Sequence, residues 1–260
     1  SGILSSLKAL FGRMNPRGQG RHLAEAILHS AVFFAPLAFG CVEPWSVGIL
    51  QLLLSALPVA WILTQEEKPL TSLTHPLLAA MVALTLLTAV QAVRPMPAWG
   101  PIEHVSFTAD KSSSLRKLLL QMSFIALLLT APRLSTELSA RIRLAWSVFG
   151  VGFLIAIIGI CHGDQHFNRS FYGFREVHNG GSLFAPYYNQ NHAAGLMEMA
   201  FFVGVGLLWV KACQFRSSLN RGRRFDEAAS QGLIVFMLGV LTAGIIKSES
   251  RGGWTALLTA

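Results

Sequence analysis

The sequence predicts an all-α protein, a polytopic bundle of transmembrane helices, on three observations. Of its 260 residues, 52% are hydrophobic and only 13% are charged, against about 25% charged in a typical soluble domain. The apolar residues are gathered into uncharged runs that approach or exceed the roughly 18 residues needed to cross a bilayer, and mean hydropathy is +0.49. The connections between the runs are short, the longest being 163–191, and none has room for a nucleotide-binding domain.

Taken in order, residues 3–14 (ILSSLKALFGRM) form an amphipathic stretch beside Arg13, Arg17 and Arg21. Such a stretch suits the membrane surface, which makes 1–22 a cytoplasmic, interfacial segment and 23–260 the membrane domain. The apolar runs predict seven spans near 23–42, 47–64, 76–93, 115–132, 144–162, 192–212 and 232–247. The first runs past the length of a signal-peptide core and is read as a retained helix. An eighth span begins around Trp254 and meets the end of the sequence at Ala260, so the chain is expected to be an N-terminal fragment of a longer membrane domain.

The net charge is +8. The basic residues lie between apolar runs, where they act as topology signals and contacts to anionic lipid head groups. No basic stripe is interleaved with aromatics outside the spans, which argues against nucleic acid. With the N-terminus inside, the inner connections hold thirteen Lys and Arg and the outer ones eight, most clearly through RSSLNRGRR at 216–224. That bias predicts a cytoplasmic N-terminus and places 94–114, 163–191 and 247–253 outside. Cys41, Cys161 and Cys213 are scattered without CxxC spacing, so neither a disulfide framework nor a structural zinc site is indicated.

Two segments carry chemistry. In 172–199, YGFREVHNGGSLFAPYYNQNHAAGLMEM, a Gly- and Pro-punctuated approach delivers Tyr187, Tyr188, Asn189, Asn191 and His192 onto the start of a span. Asn191 is the expected N-cap, and the helix start, with unpaired N–H groups, suits an anionic ligand. The alternative is a cap with an interfacial aromatic anchor. In 247–254, KSESRGGW, Arg251 stands at a span boundary beside Gly252 and Gly253. Its fork suits a phosphate group; the alternative is a snorkelling arginine, paired with Glu249.

Glu198, about two turns into the sixth span, is an intramembrane carboxylate that needs a partner or a wet cavity. Gln51, Gln91 and Gln121 read as interhelical hydrogen bonds. His162, His166, His178 and His192 crowd the outer loop, but no set of three or four converging ligands is legible, so no metal is assigned; any one of them suits a general base near neutral pH. The GVG triplets at 150–152 and 204–206 fall inside spans and read as helix-packing glycines.

Asn189-Gln190-Asn191-His192-Ala193-Ala194 at the start of one span, followed after one further span by Ser250-Arg251-Gly252, resembles the O-antigen ligase and polymerase superfamily of bacterial inner-membrane proteins. The resemblance covers about 170–260, with the earlier spans alike only as hydrophobic helices. It implies a glycan transferase at the periplasmic face, whose donor is an undecaprenyl-diphosphate-linked glycan. The acceptor would be another glycan, lipid A core (in lipopolysaccharide biosynthesis) or a protein, with neither nucleotide sugar nor metal cofactor. It further implies that Arg251, and less directly Arg175, engage the diphosphate, with Tyr188, Asn189, Asn191, His192 and Glu198 around the substrate. In the ligases the base is a histidine of a large loop later in the chain, and His192 does not match it. The competing expectation is a transporter, for example of inorganic carbon, in which Glu198 would serve an ion pathway.

Overall fold

A computed structural model describes residues 16–62, 74–93, 111–161, 170–171, 175–176, 183–217 and 221–259. Among them are eight α-helices: α1 Pro16–Leu37, α2 Pro44–Ile62, α3 Thr74–Val93, α4 Lys111–Leu134, α5 Leu138–Cys161, α6 Gln190–Ser217, α7 Arg221–Lys247 and α8 Arg251–Thr259. The fold is thus the all-α bundle expected. Among the described residues the one ladder is a pair of two-residue antiparallel strands, β1 Ser170–Phe171 and β2 Arg175–Glu176. The amphipathic 3–14 stretch and the histidines at 162, 166 and 178 lie outside the described residues.

Five helices, α2, α4, α5, α6 and α7, are long and apolar enough to cross a membrane, and the chain is a membrane protein by that measure. The apolar stretch of α3 is shorter, Pro76–Gln91. Large side chains such as Leu52, Leu86, Trp209 and Phe236 face outward, as they do when lipid rather than water surrounds the bundle.

Several helices begin or end in segments that hydropathy alone assigns to connections. α6 runs on through Lys211 and Arg216, and α7 starts at Arg221. A helix crossing the interface keeps its backbone bonded there, while its polar turns leave the hydrocarbon. An ion pair of 3.3 Å between Lys211 and Glu227 joins these two extensions. The Gln231 side-chain N–H also donates to the Lys211 carbonyl at 3.1 Å. At the first helix the correction runs the other way. α1 stops at Leu37 rather than reaching residue 42, because Phe39, Gly40 and Cys41 take left-handed backbone angles (φ 58, 64 and 53°) in a 3-10 turn.

The chain forms two compact units. One comprises residues 1–31 and 47–137, in which α3 packs on α4. There Arg21 bonds both Glu25, at 3.2 Å, and Glu137, at 2.5 Å. Gln121 does not make the hydrogen bond expected of it: its side-chain oxygen is buried with no partner among the described residues.

The other unit comprises residues 32–46 and 138–260. Here α5, α6 and α7 pack on one another, and α8 packs on α6 and α7. Phe149, Ile155, Met197, Ala200, Ile234 and Leu241 form a core from which solvent is excluded. The glycine triplets behave as packing residues in part. Gly152 lies against Ala200 and Gly204 against Phe149, each leaving no room for a β-carbon, whereas Gly206 faces open space.

Candidate functional site

The site lies where the starts of α6 and α8 meet, in the second unit. The approach to α6 is a tight turn in which Phe184 and Tyr187 exchange backbone hydrogen bonds of 3.2 and 3.0 Å. Phe184 fills the space left by Gly159 of α5, and the Tyr187 ring lies on Gly40 of the left-handed turn. Tyr188 donates its hydroxyl proton to a carboxylate oxygen of Glu43 at 2.6 Å. The two tyrosines therefore anchor the entry of α6 to the 39–46 segment, and Tyr188 is not in the cavity wall.

The cap is Asn189 rather than Asn191. The Asn189 side-chain oxygen accepts the Asn191 backbone N–H at 2.8 Å, which satisfies one of the first-turn donors that an α-helix leaves unbonded. Asn191 is thereby released from capping, and it lines the cavity instead. His192, next along, is exposed and lies outside the wall.

A compact corner positions α8. α7 closes with Glu249 in the left-handed region (φ 55°), its N–H donating to the Ile246 carbonyl at 3.1 Å. The buried Ser248 hydroxyl donates to the Ile245 carbonyl at 2.7 Å and accepts the Ser250 N–H at 3.4 Å. The Ser250 hydroxyl then caps α8 by accepting the Gly253 N–H at 3.3 Å. Arg251 is the first residue of that helix and is exposed. Behind the corner, Lys247 donates from Nζ to the Ile160 carbonyl at 2.8 Å, and so places a cation at the carbonyl end of α5.

Between these two helix starts is a cavity of about 600 Å³. α6 contributes Gln190, Asn191, Gly195 and Glu198 to its wall, and the corner contributes residues 249–253. Asn191, Gly195 and Glu198 stand at i, i+4 and i+7, one face of a helix. Three of the residues singled out from sequence, Asn191, Glu198 and Arg251, thus share one cavity, although Arg251 is separated from the others by the whole of α7. Among the described residues, the side chains of Glu198 and Arg251 form no hydrogen bond or ion pair, so the pairing with Glu249 that the alternative reading of Arg251 offers is not made. Arg175 falls in β2, its backbone paired with Phe171, and its side chain lies outside what is described.

Of Gly252 and Gly253, the pair that the sequence reads as allowing close backbone approach beside Arg251, Gly253 is the one that does so. A β-carbon there would stand 2.9 Å from Glu198 Oε1 and 2.9 Å from Ile245 Cγ2, so only glycine lets α8 approach the carboxylate this closely. No signal in the sequence marked Glu43, whose partner is 145 residues away.

The cavity combines a guanidinium, two helix starts whose first backbone N–H groups attract negative charge, and one carboxylate on the helical wall. No cluster of three or more potential metal ligands occurs among the described residues. Compared with known protein families, curated proteins and solved structures, the chain matches none.

Proposed function

We propose that the protein is a membrane glycan transferase of the O-antigen ligase or polymerase type. It takes a glycan carried on undecaprenyl diphosphate and moves it to a hydroxyl of a glycan, lipid A core or protein acceptor. The setting is the periplasmic face of a bacterial inner membrane, with the N-terminus cytoplasmic. The observation that carries this reading is the convergence of Asn191 and Arg251, from two motifs on either side of α7, on one cavity at a pair of helix starts. Breaking a sugar–phosphate bond leaves negative charge on the lipid diphosphate. A guanidinium beside oriented backbone N–H groups stabilises that charge as it develops. Ile246 and Trp254, exposed apolar residues on either side of the corner, suit a donor whose carrier is a long isoprenoid chain.

The test is complementation of a ligase-deficient bacterium with the whole protein, wild type or Arg251→Ala, followed by gels of lipopolysaccharide and lipid-linked glycan. Transfer by the wild type, with lipid-linked glycan accumulating in the Arg251→Ala strain at equal membrane levels, is the expected result. Normal transfer by Arg251→Ala removes the arginine from the mechanism.

A further inference from the structure

We propose that the groove between the start of α3 and the end of α4 holds one phospholipid with an anionic head group, its acyl chain along α4 and its phosphate on Arg133. The groove lies within the unit formed by residues 1–31 and 47–137 and shares no residue with the cavity described above. The assignment is independent of the transferase reading.

The groove has a volume of about 500 Å³. Met81 of α3 and Phe124, Leu127, Leu128 and Ser135 of α4 are in its wall, which stays apolar until Ser135 brings a hydroxyl to one end. The α4 residues recur at i, i+3, i+4 and i+11, one face of a helix. From Phe124 to Ser135 is roughly 16 Å of helix, so the groove has a cross-section of roughly 30 Å². A helix 10–12 Å across needs roughly 80–110 Å². The groove is therefore too narrow for another helix and takes a chain of methylenes instead.

The same end carries an uncompensated cation. Arg133 stands in the last turn of α4, two residues before Ser135. Its Nη1 donates to the Leu129 carbonyl at 3.0 Å, which draws the side chain back along the helix. Its Nε is buried with no partner among the described residues, and no carboxylate among them forms an ion pair with it. Glu137, the acid nearest to it in sequence, is taken by Arg21, which also holds Glu25.

A buried N–H without an acceptor is costly, and the hydrocarbon of a bilayer supplies no water to pair it. At the end of a span the acceptors at hand are lipid phosphates, whose oxygens make charge-assisted hydrogen bonds to a guanidinium. A zwitterionic head group carries its own cation beside the phosphate, whereas an anionic one leaves its charge to Arg133. One molecule thus satisfies both the apolar length of the groove and the cation at its end. On the orientation proposed above, that lipid belongs to the cytoplasmic leaflet.

The experiment titrates the whole protein, purified in detergent, with dioleoylphosphatidylglycerol or dioleoylphosphatidylcholine and reads bound lipid by native mass spectrometry. The first phosphatidylglycerol is expected to bind about fivefold more tightly than the first phosphatidylcholine, the effect of roughly one basic residue on an anionic lipid. Arg133→Gln should bring the two lipids within about twofold of each other. Leu127→Trp, which fills the groove, should abolish the tight site for phosphatidylglycerol. Equal binding of the two lipids to the wild type overturns the head-group assignment, and unchanged selectivity in Arg133→Gln overturns the role of Arg133. A tight first phosphatidylglycerol retained by Leu127→Trp overturns the groove. Should Leu127→Trp or Arg133→Gln fail to fold, Met81→Trp, which fills the groove from α3, decides: a lost tight site supports the assignment and a retained one defeats it. Wild-type dimers that carry no lipid and are broken by Leu127→Trp would give the groove to a second copy and overturn the proposal.

Discussion

Glu198 and Gly253 belong to different helices, yet the carboxylate oxygen of one lies 2.9 Å from where the other would carry a β-carbon. Two atoms that close repel, so Gly253→Ala must move either the carboxylate or α8. The same β-carbon would press on Ile245, a fully buried core residue. The expected cost is about 1–3 kcal/mol of overpacking, together with at least a tenfold loss of transfer in the complementation assay. Wild-type transfer by Gly253→Ala would show that the contact does not position Glu198.

The neighbouring glycine behaves differently. A β-carbon at Gly252 would meet nothing nearer than the Ser250 hydroxyl at 3.9 Å. Gly252→Ala should therefore keep the fold, and by helix propensity should stabilise α8 by up to about 1 kcal/mol. Thermal melts of the two alanine variants side by side would expose the contrast; equal destabilisation would contradict the packing at this corner.

Ser250→Ala removes the cap of α8. Loss of the hydroxyl that accepts the Gly253 N–H should cost about 1 kcal/mol. The effect should be local, appearing as faster hydrogen exchange in the first turn of α8 with the amides of α5 unchanged. Unchanged exchange at 251–254 would mean that this cap contributes nothing.

Tyr188→Phe tests the anchor between the 39–46 segment and the entry of α6. Deleting the hydroxyl that bonds Glu43 is expected to destabilise the protein by about 1–2 kcal/mol, given a charged acceptor. A double-mutant cycle with Glu43→Gln should show coupling of the pair. Strict additivity of the two single changes would rule out a contribution from the bond.

The native cysteines report orientation. Cys161 ends α5 on the side where α6 starts, whereas Cys213 lies near the far end of α6, and both are exposed. In spheroplasts of cells making a variant with Cys161 as its one cysteine, a membrane-impermeant maleimide should label the protein. With Cys213 as the one cysteine, labelling should wait for permeabilisation. The reverse pattern would put the cavity on the cytoplasmic side and remove the periplasmic mechanism.

Composition and run length alone were enough for the all-α membrane bundle and for the order of its helices, because the bilayer imposes one solution on long uncharged segments. Arg251 and the Asn191–Glu198 stretch were legible for a related reason: an arginine beside two glycines and a carboxylate inside a span are expensive or unusual locally. Helix ends were less legible. α6 and α7 extend into their basic connection because hydropathy marks where the hydrocarbon ends, not where the backbone ceases to be helical.

The division between Asn189 and Asn191 was decided only by the tertiary structure. Either asparagine satisfies the chemistry of a cap; in the fold, where Tyr187 and Tyr188 anchor the entry of α6, Asn189 is the cap and Asn191 lines the cavity. The same holds for Glu43 with Tyr188, and for Glu198 with Gly253. The sequence by itself determined which residues lie along one helical face, because that follows from a local period. Which faces meet was settled by packing across separate helices, where the absence of a single β-carbon decides how closely two backbones approach.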